Sequence, residues 1–254
     1  MQKMCGCSIL AAVYSIMYNF REGCRESDMT ETVTLILEII GTIAFAVSGA
    51  LVGIEKRMDI LGVAILGATT AVGGGIIRDL LLGSTPPQAL QHPLYLIIAV
   101  CSAVVMFFTR IRSALRRNRA LFDTVLLVMD SLGLGVFTAV GIGVAKGLSC
   151  GMFVSAFVGV MTGVGGGIMR DMMSGDIPFV FRKYFYCSAS IIGAVITAGL
   201  WGRIGSVPAM LTGAALIVLL RFLAAHFRWR LPRAVSDSDT DAADNAGQSG
   251  DDGR

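Results

Sequence analysis

Ten residues, Thr70-Ala71-Val72-Gly73-Gly74-Gly75-Ile76-Ile77-Arg78-Asp79, recur as Thr162-Gly163-Val164-Gly165-Gly166-Gly167-Ile168-Met169-Arg170-Asp171, each copy inside a strongly apolar segment. The second copy follows the first by 92 residues. The same offset, without a gap, matches Gly41 with Gly133, Phe45 with Phe137, Gly49 with Gly141, Gly83 with Gly175 and Pro86 with Pro178, and it sets Glu38 opposite Asp130. A duplication this regular restricts the chain to folds built from two copies of one unit.

The unit belongs in a membrane. A chain of 254 residues that is 54% hydrophobic and 15% charged, with a mean hydropathy of +0.71, is too apolar for an ordinary soluble domain. At about 20 apolar residues per crossing, seven spans emerge: 33–54, 60–82, 94–109, 121–144, 150–173, 184–201 and 207–223. Each repeat holds three of them. Three is odd, so the second copy enters from the opposite side. The expected fold is an all-α polytopic membrane protein with an inverted three-plus-three repeat, residues 29–115 and 120–204, and a seventh helix at 205–227.

Basic residues orient it. Lys56, Arg57, Arg110, Arg112, Arg116, Arg117, Arg119, Arg182, Lys183, Arg228, Arg230 and Arg233 all fall on one side of this topology, against Lys146 and Arg203 on the other. Positive charge stays inside, so the N-terminus is expected outside and the C-terminus in the cytoplasm of a multi-pass cell-membrane protein. Residues 1–28 are read as an N-terminal extension, because their apolar run at 9–17 is too short to span and Met29-Thr30-Glu31-Thr32 reads as a membrane-protein start. Residues 236–254 have the composition of a disordered tail. Six scattered cysteines lack metal-site spacing and read as free thiols, and no cofactor or nucleic-acid partner is expected.

Three consecutive glycines forfeit about 1 kcal/mol apiece of helix propensity, and an Arg-Asp pair after them puts charge where a membrane helix disfavours it. Such costs point to use. Gly73, Gly74 and Gly75, with Gly165, Gly166 and Gly167, are expected to interrupt or kink the second and fifth helices beside a cavity between the halves. Gly41, Gly49, Gly133 and Gly141 instead suit close helix packing. Helix depth pairs Glu38 with Arg78 near the outer face and Asp130 with Arg170 near the inner one, lining or gating a central pathway. Neighbours on a helix point apart, so Arg78 and Asp79 are not expected to satisfy each other; Asp79 and Asp171 stand as further pathway candidates. Tyr184, Tyr186, Trp201 and Trp229 fall at span ends like an aromatic belt, and His92 and His226 read as interfacial. Pro86 and Pro178 read as terminators of the broken helices. A membrane aspartyl protease would want its aspartates in a Gly-x-Gly-Asp setting, whereas Asp79 and Asp171 follow arginines, so the chain is not read as an enzyme.

The doubled Gly-Gly-Gly-x-x-Arg-Asp stretch, with Gly-x-x-x-Phe-x-x-x-Gly at Gly41 to Gly49 and at Gly133 to Gly141, resembles the bacterial membrane protein family with two tandem glycine-transporter-type domains, related to the TRIC (trimeric intracellular cation) channels. The resemblance implies a homotrimer in the lipid bilayer, each seven-helix protomer holding its own hourglass pore shaped by the two glycine triplets and passing potassium. Animal members bind an inositol lipid through basic residues of the fourth helix; residues 122–144 here contain no Lys or Arg, so lipid gating does not carry over. The domain name implies another solute, glycine, whose carboxylate and amine would use a helix N-terminus and an acid. Small-solute transport is the expectation, as a potassium channel first, a glycine transporter as the alternative, and a non-transporting scaffold third.

Overall fold

The computed structural model describes residues 6–108, 118–182 and 186–227, with side chains from Met29 onward. Every regular element among them is helical: α1 Gly6–Glu55, α2 Ile60–Leu81, α3 Gln88–Gln91, α4 Pro93–Phe108, α5 Arg119–Gly147, α6 Met152–Met173, α7 Phe179–Arg182, α8 Tyr186–Ile204 and α9 Ser206–His226. Six helices are long and apolar enough to cross a membrane, namely the Met29–Glu55 part of α1, then α2, α5, α6, α8 and α9. The expected third span is short: α4 has 16 residues, about 24 Å of helix against about 30 Å of hydrocarbon. Arg110, Arg112, Arg116, Arg117, Lys183, Tyr184, Arg228, Trp229, Arg230, Arg233 and the tail at 236–254 lie outside the described residues.

The helices alternate in direction, as their end contacts show. Lys56 at the end of α1 bonds Asp176 after α6 at 2.6 Å, and Arg119 at the start of α5 donates to Glu55. At the opposite end, the Thr30 and Ser206 hydroxyls lie 2.6 Å apart. Small residues make the interior. Ala99 and Ala103 of α4 are fully buried, and Gly67 brings α2 against both Ala103 and the Ala46 carbonyl of α1. Large apolar side chains face outward instead, among them Leu61, Ile65, Val105 and Phe153, which suits a lipid surface.

The duplication is visible residue by residue. Phe45 of α1 fits the niche of Gly133 on α5, and Phe137 of α5 fits the niche of Gly41 on α1; the two rings stack with centroids 5.3 Å apart. Gly49 packs on Thr70 and Gly141 on Thr162, and these threonines turn their hydroxyls onto the Leu66 and Val158 carbonyls, 2.6 Å in each case, as threonine does inside a helix. The expected packing role of these glycines is what they perform.

The glycine triplets do not interrupt their helices. α2 and α6 each run as one 22-residue helix through them. Packing explains this: a methyl on Gly74 would strike the Thr162 carbonyl of α6, and one on Gly166 would strike the Thr70 carbonyl of α2. Two helix backbones touch here, which only glycine permits. The helices stop further on, at Gly83 and Gly175, whose φ values of 70° and 75° favour glycine. Ser84 N bonds Asp79 O at 2.8 Å and Asp176 N bonds Asp171 O at 2.9 Å, the pattern of a glycine-ended helix. Pro86 and Pro178 lie beyond these ends, so the glycines, not the prolines, terminate the helices.

Candidate functional site

Two charged clusters sit at opposite ends of the α2–α6 crossing. In the first, Arg78 is 2% exposed and every one of its guanidinium nitrogens has a partner. Nη1 donates to Glu38 Oε1 at 3.0 Å, Nε to Asp79 Oδ1 at 2.8 Å and Nη2 to Gln88 Oε1 at 2.9 Å. Tyr95 of α4 donates its hydroxyl to Glu38 Oε2 at 2.6 Å. The backbone N–H of Gln88, at the start of α3, donates to Asp79 Oδ2 at 2.7 Å. One guanidinium faces two carboxylates, so the cluster carries an excess negative charge.

The second cluster repeats this plan around Arg170, which is fully buried. Nη1 donates to Asp130 Oδ1 at 2.7 Å and to Ser48 Oγ at 3.0 Å, and Nε to Asp171 Oδ1 at 2.9 Å. Phe179 N at the start of α7 donates to Asp171 Oδ2 at 2.7 Å. The Tyr186 hydroxyl lies 3.4 Å from Asp130 Oδ1. A member without counterpart in the first cluster comes from α9: Arg221 Nη2 donates to Asp130 Oδ2 at 3.1 Å, with its guanidinium 4.4 Å from the Tyr186 ring centroid. Two guanidinium groups balance two carboxylates here.

The pairs Glu38–Arg78 and Asp130–Arg170 are thus brought together as the sequence suggests. One expectation is overturned: each arginine also bonds the aspartate beside it. The Cβ atoms diverge, but an arginine side chain is long enough to fold back, and the aspartate is held for it by the N–H of the next helical turn. Asp79 and Asp171 therefore tie each arginine to the loop that follows it. Tyr186 is corrected as well. It is 2% exposed and bonded to Asp130, not part of an interfacial belt.

Sequence reasoning missed Gln88, Tyr95, Ser48 and Arg221. After Pro86 and Pro178 the offset between the halves falls from 92 to 91, because the second loop is one residue shorter; Gln88 then matches Phe179, and Tyr95 matches Tyr186. A fixed offset hides that match. Arg221 had a signal of its own, as a charge inside an apolar span.

The clusters differ in what surrounds them. Beside the first lies a cavity of about 30 Å³, lined by Glu38, Thr42, Gly75, Arg78, Tyr95 and Phe137 among others. It adjoins a groove of about 910 Å³ between α1, α4 and α5 that also reaches Glu38, Gln88 and Tyr95 and includes Glu31 and His92. Nothing lies within 4 Å of a methyl built on Gly75, whereas the niche of its repeat partner Gly167 is filled by the Tyr186 hydroxyl at 2.8 Å. Along α1, Glu38 reaches the first cluster and Ser48 the second, ten residues or about 15 Å of helix rise apart, with the Phe45–Phe137 stack between them. Of the glycine triplets, then, Gly74 and Gly166 make the helix crossing, Gly73 and Gly165 face Met169 and Ile77 across it, and Gly75 borders open space.

Known proteins share this sequence pattern and fold. The glycine transporter family matches twice, over residues 35–110 and 127–202. The inner membrane protein YadS of Escherichia coli is 36% identical over 204 residues, covering 79% of this chain and 96% of that protein. Two solved structures superpose on the fold. One is from work on conductance through TRIC cation channels, with 36% identity and a TM-score of 0.70 over 79% of this chain and 97% of that one. The other is the TRIC trimeric intracellular cation channel orthologue from Rhodobacter sphaeroides, with 35% identity and a TM-score of 0.71 over 78% of this chain and 100% of that one. The two halves, their crossed helices and their paired charges lead to one conclusion: the chain belongs to the bacterial membrane protein family with two tandem glycine-transporter domains and has the fold of the TRIC cation channels.

Proposed function

We propose that the protein is a monovalent cation channel passing potassium, with one pathway in each protomer of a homotrimer. The observation that carries this reading is the cavity at the first cluster. It is bordered by Glu38 and by a fully paired Arg78, in a cluster with one carboxylate in excess. A bare arginine beside a pathway would repel cations. A paired one leaves the acid to attract them, with Thr42 and Tyr95 as further oxygen donors of the weak kind that conduction needs.

On this reading residues 29–115 and 120–204 are the two halves, 205–227 is the seventh helix, and 1–28 and 236–254 are extension and tail. The path descends from Glu38 past Gly75 and the Phe45–Phe137 stack toward Asp130, Arg170 and Gly167. The trimer and the cation are supported by the TRIC neighbours, one of them named a trimeric intracellular cation channel. N-terminus outside and C-terminus inside follow from the distribution of basic residues.

The glycine transporter reading has one argument, the family's name. Against it, each nitrogen of Arg78, the cation bordering the cavity, already has its partner, so a glycine carboxylate there would have only uncharged donors such as backbone N–H groups to bind. The test is purified protein in planar bilayers and liposomes, measuring potassium current and labelled glycine uptake on one preparation. Unitary currents without saturable uptake support the channel; saturable uptake without unitary currents replaces it with a carrier.

A further inference from the structure

The two clusters are related by the duplication, yet a cavity borders the first and the Tyr186 hydroxyl fills the matching niche at the second. The second also has a member from outside the repeat. Arg221 comes from α9, which has no partner helix in the symmetry, and it does two things at once. It neutralises the spare charge of Asp130, and it lies under the ring of Tyr186, whose hydroxyl occupies the Gly167 niche that corresponds to open space at Gly75.

The second cluster is also incompletely satisfied. Arg170 Nη2 and Arg221 Nε are buried without hydrogen-bond partners, whereas each nitrogen of Arg78 has one. Unmet donors in a buried network weaken the closed arrangement. Water entering the cluster would meet them.

We infer that Arg221 makes the two mouths of the pathway unequal, holding Tyr186 in the Gly167 niche and cancelling the charge that a cation would otherwise meet at Asp130. This rests on the channel reading. With Arg221 removed, the second cluster takes the charge excess of the first, and Tyr186 loses the cation beneath its ring.

The experiment compares wild type, Arg221→Met and Arg221→Lys in planar bilayers with symmetric KCl. Arg221→Met is expected to raise open probability by about tenfold or more, the equivalent of one lost hydrogen bond to a charged group, and to bring currents at opposite voltages closer to equality. Arg221→Lys, which keeps the charge, should restore most of the wild-type asymmetry. If wild type conducts and Arg221→Met matches it in both respects, the inference falls while the channel reading stands. Hydrogen exchange on detergent-solubilised protein gives a readout that needs no current. Amides at 170–181 should exchange about tenfold faster in Arg221→Met, with the matched segment 78–89 unchanged. No change at 170–181 overturns the inference even for a protein that carries no current. Should Arg221→Met exchange throughout, Arg221→Gln, which retains a donor for Asp130, is read by the same two segments.

Discussion

Gly74 and Gly75 are neighbours on one helix, yet alanine at these positions should act in opposite directions. The gain in helix propensity, about 1 kcal/mol, is common to both and cancels in the comparison. What remains is packing. A methyl on Gly74 meets the Thr162 carbonyl and, at 3.5 Å, the Gly166 nitrogen; both belong to the backbone of α6 and cannot rotate aside. One on Gly75 meets nothing within 4 Å. Overpacking of this kind costs about 1–3 kcal/mol, so Gly74→Ala should be the less stable variant by that amount. At about 2–4 °C per kcal/mol for a chain of this size, thermal unfolding in one detergent should separate the two by at least about 2 °C. Gly75→Ala should fold at least as well as wild type, but its methyl enters the cavity beside Glu38, so unitary conductance should fall. Equal melting temperatures, or a Gly75→Ala variant less stable than Gly74→Ala, would refute the assignment of the triplet to one packing face and one open face.

Other expectations follow from the same geometry. Asp130→Asn leaves two buried arginines short of a carboxylate and should cost about 3–5 kcal/mol, seen as lost monodisperse protein on size exclusion, whereas Glu38→Gln, with Arg78 still bound to Asp79 and Gln88, should fold and lose cation current instead. Gly133→Ala should destabilise by crowding Phe45, and Phe45→Leu should recover part of that loss in a double-mutant cycle on melting temperature; additive effects would contradict the contact. Lys56→Ala breaks an ion pair that is more than a third exposed on both sides and should shift stability by less than about 1 kcal/mol; a larger shift would show that the helix ends are locked rather than loosely tied.

The inverted repeat was legible because membrane spans are countable and a gapless offset survives in helices whose lengths are fixed by the bilayer. The pairs Glu38–Arg78 and Asp130–Arg170 were legible too, since an isolated charge in an apolar helix needs a partner at its own depth. The bonds from Arg78 to Asp79 and from Arg170 to Asp171 were not. A helical wheel describes where Cβ atoms point, and a side chain of arginine's length is not bound by it. Nor was the match of Tyr95 to Tyr186, because one residue is missing from a loop, where length is free to vary. At the glycine triplets the expected interruption is absent, because their lack of side chains is used for close packing. Missing side chains at Gly74 and Gly166 let two helices meet, and each helix runs unbroken through its triplet.

The knob and the hole of the central contact lie four residues apart on the same helix, Phe45 beside Gly41 and Phe137 beside Gly133, and each fits the other's complement. The contact is therefore isologous. A half-length chain carrying only one copy would present both surfaces and could dock on an oppositely inserted twin through the same aromatic pair. Fusing two such halves adds no new geometry at the centre; what it adds is freedom for the copies to differ, as Gly75 beside open space and Gly167 beside the Tyr186 hydroxyl do.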